Sequence, residues 1–200
     1  MSSLIKSAVE ISHQLLATAI HEGDTVLDAT AGRGRDTCFL AQLVGEKGTV
    51  WAFDIQIEAC RSTAHALVQA GLVSRVHLIC DDHANLAAYA IPSITAAIFN
   101  LGWLPGSDRS IVSGAGTIKA LQSALLMLKE GGILVVVAYI GHSEGADEYS
   151  ALLRWITSLP KSEARCLQIS FPAHEQAPIV LLIEKTLTTG NLRAQPALHK

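Results

Sequence analysis

The stretch Val26-Leu-Asp-Ala-Thr-Ala-Gly-Arg-Gly-Arg-Asp-Thr37 decides the fold. Apolar residues run up to Asp28 as in a buried strand, the chain turns through Gly32 and Gly34, and a helix is predicted to begin near Asp36. Glycines adopt backbone angles closed to other residues and let the main chain approach a ligand, and a helix start offers unpaired N–H groups. The stretch therefore predicts a nucleotide-like cofactor site between a strand and a helix.

The side chains of this turn separate two cofactor classes. A dinucleotide fingerprint requires a third glycine where Thr37 stands, and it places a pyrophosphate at the helix start. Arg33 and Arg35 crowd the turn, and the carboxylate of Asp36 would repel two phosphates. Acidic side chains in this turn suit a cationic amino-acid moiety, and Asp28 supplies a second carboxylate. The pattern D-x-x-x-G-x-G resembles that of Rossmann-like S-adenosylmethionine (SAM) methyltransferases, so SAM is the expected cofactor.

Composition and length limit the class of protein. Of the 200 residues, 50% are hydrophobic and 16% charged, so we expect one domain over residues 1–186 and a flexible tail over residues 187–200. The longest apolar run, Ile133 to Ile140, is far shorter than the roughly 20 residues that a membrane helix needs. The N-terminal segment Leu4 to Ile20 carries charged residues within its apolar pattern, unlike a signal peptide. These features predict a cytoplasmic enzyme without a membrane partner.

Cysteine and histidine spacing predicts no metal site. The cysteines form no C-x-x-C pair, and buried reduced thiols are favoured over disulfides or zinc ligands: Cys38, Cys60, Cys80 and Cys166. The histidines show no H-x-x-x-H spacing. The net charge of −3 does not indicate nucleic-acid binding, so any RNA contact would be a local patch.

Strand and helix patterns alternate along most of the chain. A second strand, Thr49 to Asp54, ends in an acid that follows Gly34 by 20 residues, which is about the spacing at which a carboxylate binds ribose hydroxyls in nucleotide folds. A third strand pattern, Arg75 to His83, ends in polar residues. A helix over Thr117 to Lys129 is predicted to end at the Gly131-Gly132 pair, a C-cap signal. Polar groups thus gather at strand ends.

The last two strands, Cys166 to Phe171 and Ile179 to Glu184, leave no room for a helix between them. They are therefore expected to pair as an antiparallel hairpin. Five strand–helix units followed by this hairpin predict an α/β fold of the Rossmann-like class I SAM-dependent methyltransferase type. Its sheet would be mostly parallel, seven-stranded, and closed by a C-terminal antiparallel hairpin.

Taken together, the motifs resemble those of the MnmM (YtqB-like) family of SAM-dependent tRNA methyltransferases, over about Leu4 to Lys185. The resemblance is carried by Asp28, the Gly32/Gly34 turn, Asp54-Ile-Gln56, Asn100-Leu-Gly-Trp-Leu-Pro-Gly-Ser-Asp108 and Tyr139-Ile-Gly-His142. It implies methylation of the aminomethyl group of 5-aminomethyl-2-thiouridine at the tRNA wobble position, giving 5-methylaminomethyl-2-thiouridine. Two positions depart from the family pattern, which usually has Asn at position 33 and Ser at position 82.

The resemblance places the cofactor at Asp28, Gly32, Arg33, Gly34, Asp36, Asp54, Gln56, Asp82 and His83. Asp54 and Gln56 would hold the ribose hydroxyls and the adenosine edge, unless Asp54 only caps the following helix. Asp28 faces the methionine end of SAM or else orients the turn. For Asp82 and the histidine after it, adenine contact and a helix-capping turn remain alternatives.

The resemblance places methyl transfer at Asn100, Leu101, Gly102, Asp108, Tyr139 and His142. An alkylamine attacks only as the neutral base, and most of it is protonated at pH 7. The Asn100 carboxamide and the Leu101 carbonyl can orient the nitrogen by accepting N–H bonds, while Gly102 allows close approach. Asp108 or His142 would relay the proton, unless solvent suffices.

Partners and competing functions remain open at this point. Trp103 either stacks on an anticodon base or anchors the core. Phosphate contacts from the tRNA anticodon region would fall on Arg35, Arg109, Lys119 and His142, or these are simply solvated charges. A homodimer is compatible with the sequence. The alternatives are a methyltransferase acting on rRNA or a small amine, and a noncatalytic nucleotide-binding module.

Overall fold

The structure is a computed structural model, and it describes residues 7–101, 114–141, 143–174 and 176–186. The helices are α1 (Ala8–Ala19), α2 (Arg35–Leu43), α3 (Ile57–Ala70), α4 (Gly114–Met127) and α5 (Ser143–Ser158). The strands are β1 (Thr25–Asp28), β2 (Thr49–Asp54), β3 (Val76–Cys80), β4 (Ile94–Leu101), β5 (Leu128–Ala138), β6 (Ala164–Ile169) and β7 (Ile179–Lys185). Short 3₁₀ helices span Val73–Arg75 and His83–Ala88.

The strands form one seven-stranded sheet in the order β3-β2-β1-β4-β5-β7-β6. Its first five strands run parallel to one another. Strand β7 pairs antiparallel with both β5 and β6, and Cys166 lies opposite Ile183 in the terminal hairpin. The predicted mostly parallel α/β sheet with a C-terminal antiparallel hairpin is therefore confirmed.

Both faces of the sheet are buried under helices. Successive side chains of a strand point to opposite faces, and in β1 the neighbours Val26 and Leu27 are both fully buried. Val26 packs in a core that includes Leu16 of α1 and Leu40 of α2. Leu27 packs in a second core with Leu121 of α4 and residues of α5. Burial on both faces explains why the strand sequences read as continuous apolar runs.

The predicted end of α4 is wrong. Instead of continuing to Lys129, α4 ends at Met127, and the next residue, Leu128, already pairs with Ile94 in the sheet. The pairing register shifts after this point, and Gly131 has a φ of +74° within the shift. The glycine pair therefore marks an irregularity of β5 and not the end of a helix, because a buried strand contact overrides local helix preference.

The connections of β1 and β4 create a crevice at the carboxyl ends of these two central strands. Strand β1 leads into α2, which covers one face, and β4 precedes α4, which covers the other face. Since the two strands are neighbours, their carboxyl ends lie where the strand order reverses. In open α/β sheets ligands bind at this position. Asp28 and Asn100 lie at these strand ends, and Asp36 bonds Asn100 there.

Candidate functional site

The turn after β1 requires glycine at two positions. Gly32 and Gly34 have φ angles of +56° and +80°, in the left-handed region that other residues avoid. Gly34 also serves as the N-cap of α2. A Cβ atom at Gly34 would lie 3.1 Å from the Cα of Thr63 and 3.2 Å from the Cβ of Ala66, both on α3. This glycine therefore brings α2 and α3 together beneath the turn.

Replacing Gly34 with alanine is expected to destabilise the protein more than replacing Gly71, which provides a matched control. Gly71 also has a positive φ, of +68°, but a Cβ there would meet nothing within 4 Å. Gly71→Ala should cost about 1–2 kcal/mol of unfolding free energy from the left-handed backbone alone. Gly34→Ala should cost more, because α3 must also move. Urea denaturation measures both, and equal losses would contradict the packing role of Gly34.

Asp28 is completely buried beneath the turn. Its carboxylate accepts hydrogen bonds from Thr37 Oγ1 at 2.6 Å and from the Thr30 backbone N–H at 3.0 Å. Burial, together with the nearby charge of Asp36, raises the pKa of Asp28 to about 7. Asp28 has no exposed surface for a ligand, so this geometry favours the role of orienting the turn over direct contact with a cofactor.

Asp54 connects the glycine turn to the end of β2. One carboxylate oxygen accepts the N–H of Gly32 at 2.8 Å, and the other accepts the N–H of Gln56 at 2.9 Å. Gln56 is the N-cap of α3. The helix-capping alternative is not realised, because no side chain caps the first turn of α3. Asp54 instead holds the chain where it enters the helix, and each carboxylate oxygen retains a lone pair for a further donor. Asp54 is half-buried, which is compatible with a ribose contact as well.

Asp82 and His83 also make contacts within the protein. The Asp82 side chain accepts the N–H of Ala84 at 2.8 Å and so caps the 3₁₀ helix His83–Ala88. His83 Nδ1 lies 3.0 Å from the carbonyl oxygen of Ala29, to which it must donate because a carbonyl only accepts. Both residues therefore lie beside the β1 turn, with one carboxylate oxygen of Asp82 not used by the cap.

Asp36 joins two other polar side chains at the end of β4. One of its oxygens accepts from Asn100 Nδ2 at 3.0 Å, and the other lies 2.6 Å from Nε2 of His13 on α1. Asp36 is only 5% exposed. The Asn100 backbone N–H donates to Thr30 Oγ1 at 2.8 Å, which holds the residue from its main chain as well. Asn100 is thereby fixed from two sides.

The contact with Asp36 also sets which way the Asn100 amide points. A carboxylate accepts hydrogen bonds only, so the amide atom facing Asp36 is the NH₂ group. The amide oxygen therefore points away from Asp36 and remains an acceptor. An N–H acceptor held in one orientation is what positioning an amine requires.

Tyr139 and Leu101 complete the described part of the predicted transfer site. Tyr139 directly follows β5, the neighbour of β4, and burial, with a smaller effect from the charge of Asp36, raises the pKa of its phenol. The Leu101 carbonyl accepts the Tyr139 N–H in a long bond of 3.4 Å, so one of its two lone pairs is engaged. The remaining predicted residues lie outside the described part of the chain: Gly102, Trp103, Asp108, Arg109 and His142.

The sequence did not indicate several residues that the structure places at the site. His13 lies 23 residues before its partner Asp36 on a different helix, so no local spacing indicates the pair. Thr63 of α3 donates to the carbonyl of Gly32 in the β1 turn at 3.1 Å, again between distant parts of the sequence. Ile55 is 44% exposed directly after Asp54. An isoleucine between two polar residues at a strand end was a visible signal for an apolar ligand surface.

Metal ligands are not clustered within residues 7–101, 114–141, 143–174 and 176–186, where no group of three or more His, Cys, Asp or Glu side chains is arranged to hold a metal ion. The four cysteines are free thiols. The acids of the turn instead surround a glycine-rich backbone, an arrangement that suits an organic cation.

The sequence of the chain is similar to those of known RNA methyltransferases. A family model described as "Putative rRNA methylase" matches residues 50–185. The chain is 34% identical to the "tRNA (mnm(5)s(2)U34)-methyltransferase, chloroplastic" of Arabidopsis thaliana, over 90% of this chain and 70% of that protein.

Solved structures resemble the fold closely. A Clostridium thermocellum protein described as a "putative rRNA-methylase" superposes with a TM-score of 0.88 at 39% identity, covering 92% of this chain and all of that one (100%). A Streptococcus mutans protein, described as "a putative methyltransferase" in complex with S-adenosylhomocysteine (SAH), gives a TM-score of 0.83 at 32% identity. That comparison covers 91% of this chain and 99% of the other.

Proposed function

The chain belongs to the rRNA-methylase-like family of methyltransferases, and on that premise we propose that it is a SAM-dependent tRNA methyltransferase. Its proposed reaction is methylation of the aminomethyl group of 5-aminomethyl-2-thiouridine at the wobble position. The product is 5-methylaminomethyl-2-thiouridine. The name of the Arabidopsis relative supports this substrate, and so does the arrangement around Asn100.

The orientation of the Asn100 amide is the observation that carries the proposal. Its NH₂ group is held by Asp36 at 3.0 Å, so its oxygen is presented as an acceptor at the carboxyl end of β4. Bound SAM would supply an electrophilic methyl group, whose bond to sulfur breaks, with the electron pair staying on sulfur, as the amine nitrogen bonds to that carbon. The protein must hold the amine lone pair in line with this bond, and an N–H bond to Asn100 does so.

The residues around the β1 turn fit a SAM cofactor. Gly32 and Gly34 leave the turn without side chains, and Asp36 and Asp54 supply negative charge. We infer that Asp54 and Gln56 bind the ribose side, with Ile55 against the adenine, and that Asp28 supports the turn from beneath. Exposed Arg33 and the partly buried pair of Asp82 and His83 remain proposed cofactor contacts.

Asp54→Ala is expected to weaken SAH binding by about 1–3 kcal/mol, the range for leaving polar partners unpaired. Titration calorimetry measures this change. Asp24→Ala is the matched control, because Asp24 also accepts a backbone N–H, that of His21 at 2.8 Å, but precedes β1 at the opposite end of the strand. The control should retain SAH affinity. Equal affinity of Asp54→Ala and wild type would remove Asp54 from the cofactor site.

A noncatalytic dinucleotide-binding module fits the site less well. Where the dinucleotide fingerprint has its third glycine, Thr37 is buried and donates to Asp28. Carboxylates on both sides of the turn would also repel a pyrophosphate. Binding of SAH without binding of NAD would exclude this alternative.

Two of the predicted RNA contacts are among the described residues. Arg35 and Lys119 are exposed, the first of them at the start of α2 directly after the turn, and we propose that they contact phosphates of the anticodon region. Within the described residues no helix has the length and apolarity to cross a membrane. A cytoplasmic location, a single domain over residues 1–186 and a homodimer remain proposals, the last tested by light scattering.

Transfer of a labelled methyl group tests the proposed function. Purified protein and methyl-labelled SAM are incubated with one of three acceptors in separate reactions. The acceptors are tRNA from cells that lack the gene, rRNA from the same cells, and methylamine. Label should enter the tRNA alone. Label in rRNA or methylamine but not in tRNA would favour the other substrate class, and no transfer to any of them would contradict a methyltransferase.

A further inference from the structure

Helix α1 carries a polar contact that its packing role does not explain. The helix begins with a capping box between Ser7 and Glu10, and its residue Leu16 is buried in the core. His13 points instead towards α2, where its ring stacks on Phe39 with centroids 3.9 Å apart and planes within 3°. Its Nε2 reaches Asp36 Oδ1 at 2.6 Å. The imidazole therefore connects α1 to the transfer site.

The hydrogen atoms in this contact follow from the partners. A carboxylate only accepts, so Nε2 of His13 carries the hydrogen and donates it to Asp36. The other Asp36 oxygen accepts from Asn100 Nδ2 at 3.0 Å. The two donors therefore converge on Asp36, and His13 and Asn100 bond different oxygens of its carboxylate.

We propose that His13 is a positioning residue for methyl transfer, acting through Asp36 to hold the Asn100 amide oxygen towards the attacking nitrogen. This inference rests on the proposed function of the site. The His13 side chain contributes a hydrogen-bond donor in a fixed place; it does not take the substrate proton.

Two soft torsions make such a donor necessary. The terminal torsions of Asp and Asn side chains have broad, roughly two-fold preferences, so neither Asp36 nor Asn100 holds its own orientation. If the His13 donor is lost, the Asp36 carboxylate can rotate, and the amide bound to it can follow. A misplacement of about 1 Å at a reacting group can cost roughly 100-fold in rate. A distant donor therefore affects the rate of transfer.

Two substitutions separate the donor from the ring. His13→Phe keeps an aromatic ring on Phe39 but has no N–H for Asp36. His13→Gln loses the stacking but carries an amide N–H at about the reach of the imidazole Nε2. If His13 only packs against α2, the phenylalanine variant should transfer methyl groups faster than the glutamine variant. If the N–H donor of His13 positions Asp36, the glutamine variant should be the faster of the two.

The measurement is the single-turnover methyl-transfer rate, made on whichever acceptor the wild-type protein methylates. With SAM at saturation, we expect the rate of His13→Phe to fall by roughly 10- to 100-fold, with KM for the acceptor little changed. His13→Gln should stay within about 3-fold of wild type. In an Asn100→Ala background, His13→Phe should add little, because residues acting as one unit are not additive.

Three results would overturn the inference: a full rate in His13→Phe, an additive loss in the double variant, or a glutamine variant as slow as the phenylalanine one while folded and binding SAH. The last result would assign an imidazole-specific role such as proton transfer. Failure of the wild-type protein on aminomethylated tRNA would count against the proposed function alone, since the variants are compared on the acceptor that is methylated.

Discussion

Unmodified tRNA transcript is expected to accept essentially no methyl group, whereas tRNA carrying 5-aminomethyl-2-thiouridine at the wobble position is methylated. Carbon 5 of an unmodified uracil bears only hydrogen, so it offers neither an amine lone pair nor an N–H for the oxygen of Asn100. Sites built to hydrogen-bond a substrate N–H reject analogues that lack it by about 10⁴-fold or more. Methylation should therefore be detected with the aminomethylated tRNA and be nearly absent with the unmodified transcript.

The two tRNAs are compared with SAM in excess, and the methylated nucleoside is identified after digestion. A transcript with the same sequence and 2-thiouridine but no aminomethyl group isolates the contribution of the amine. Equal methylation of all three RNAs would place the target atom elsewhere in the tRNA.

Asn100→Ala is expected to slow the transfer step while leaving SAH affinity nearly intact. Loss of an orienting contact made in the transition state costs on the order of 2–4 kcal/mol, judging by oxyanion-hole donors, which corresponds to roughly 30- to 1,000-fold in single-turnover rate. Asn85→Ala is a matched control, because Asn85 Nδ2 donates to Asp81 at 2.9 Å on an exposed surface. The control should keep the wild-type rate.

Asn100→Asp gives the sharper result. The new carboxylate would stand beside Asp36 and lose the 3.0 Å hydrogen bond that the amide donates. The added negative charge also raises the pKa of the bound amine and so favours the unreactive ammonium. Raising the pH removes that proton, so it should rescue this variant more than wild type. A full rate in Asn100→Ala with saturating tRNA would move the transfer site elsewhere, with Tyr139 next to be tested.

The fold could be read from the sequence because its signals are local. Apolar runs of strand length, the Gly32 and Gly34 turn and the missing helix before Ile179 each act over a few residues, and together they leave little choice of topology. The end of α4 could not be read in this way. Whether Leu128 continues a helix or starts a strand depends on its pairing with Ile94, 34 residues earlier.

The site was only partly predictable, for a related reason. An acid at the end of a strand looks the same in the sequence whether it faces a ligand or braces a turn. The burial of Asp28 is tolerated because Thr37 and the Thr30 N–H bond its two oxygens, and both donors are brought there by the folded turn. The His13 contact joins residues on two helices, so it depends on how α1 and α2 pack.

Nucleoside mass spectrometry of tRNA from cells with and without the gene tests whether the protein methylates the wobble uridine. With the gene, the wobble position should carry 5-methylaminomethyl-2-thiouridine. Without it, that nucleoside should disappear and 5-aminomethyl-2-thiouridine should accumulate in its place. The wild-type gene should restore the methylated form, and a gene encoding Asn100→Ala should restore much less of it. Unchanged proportions of the two nucleosides in cells that lack the gene would contradict the account.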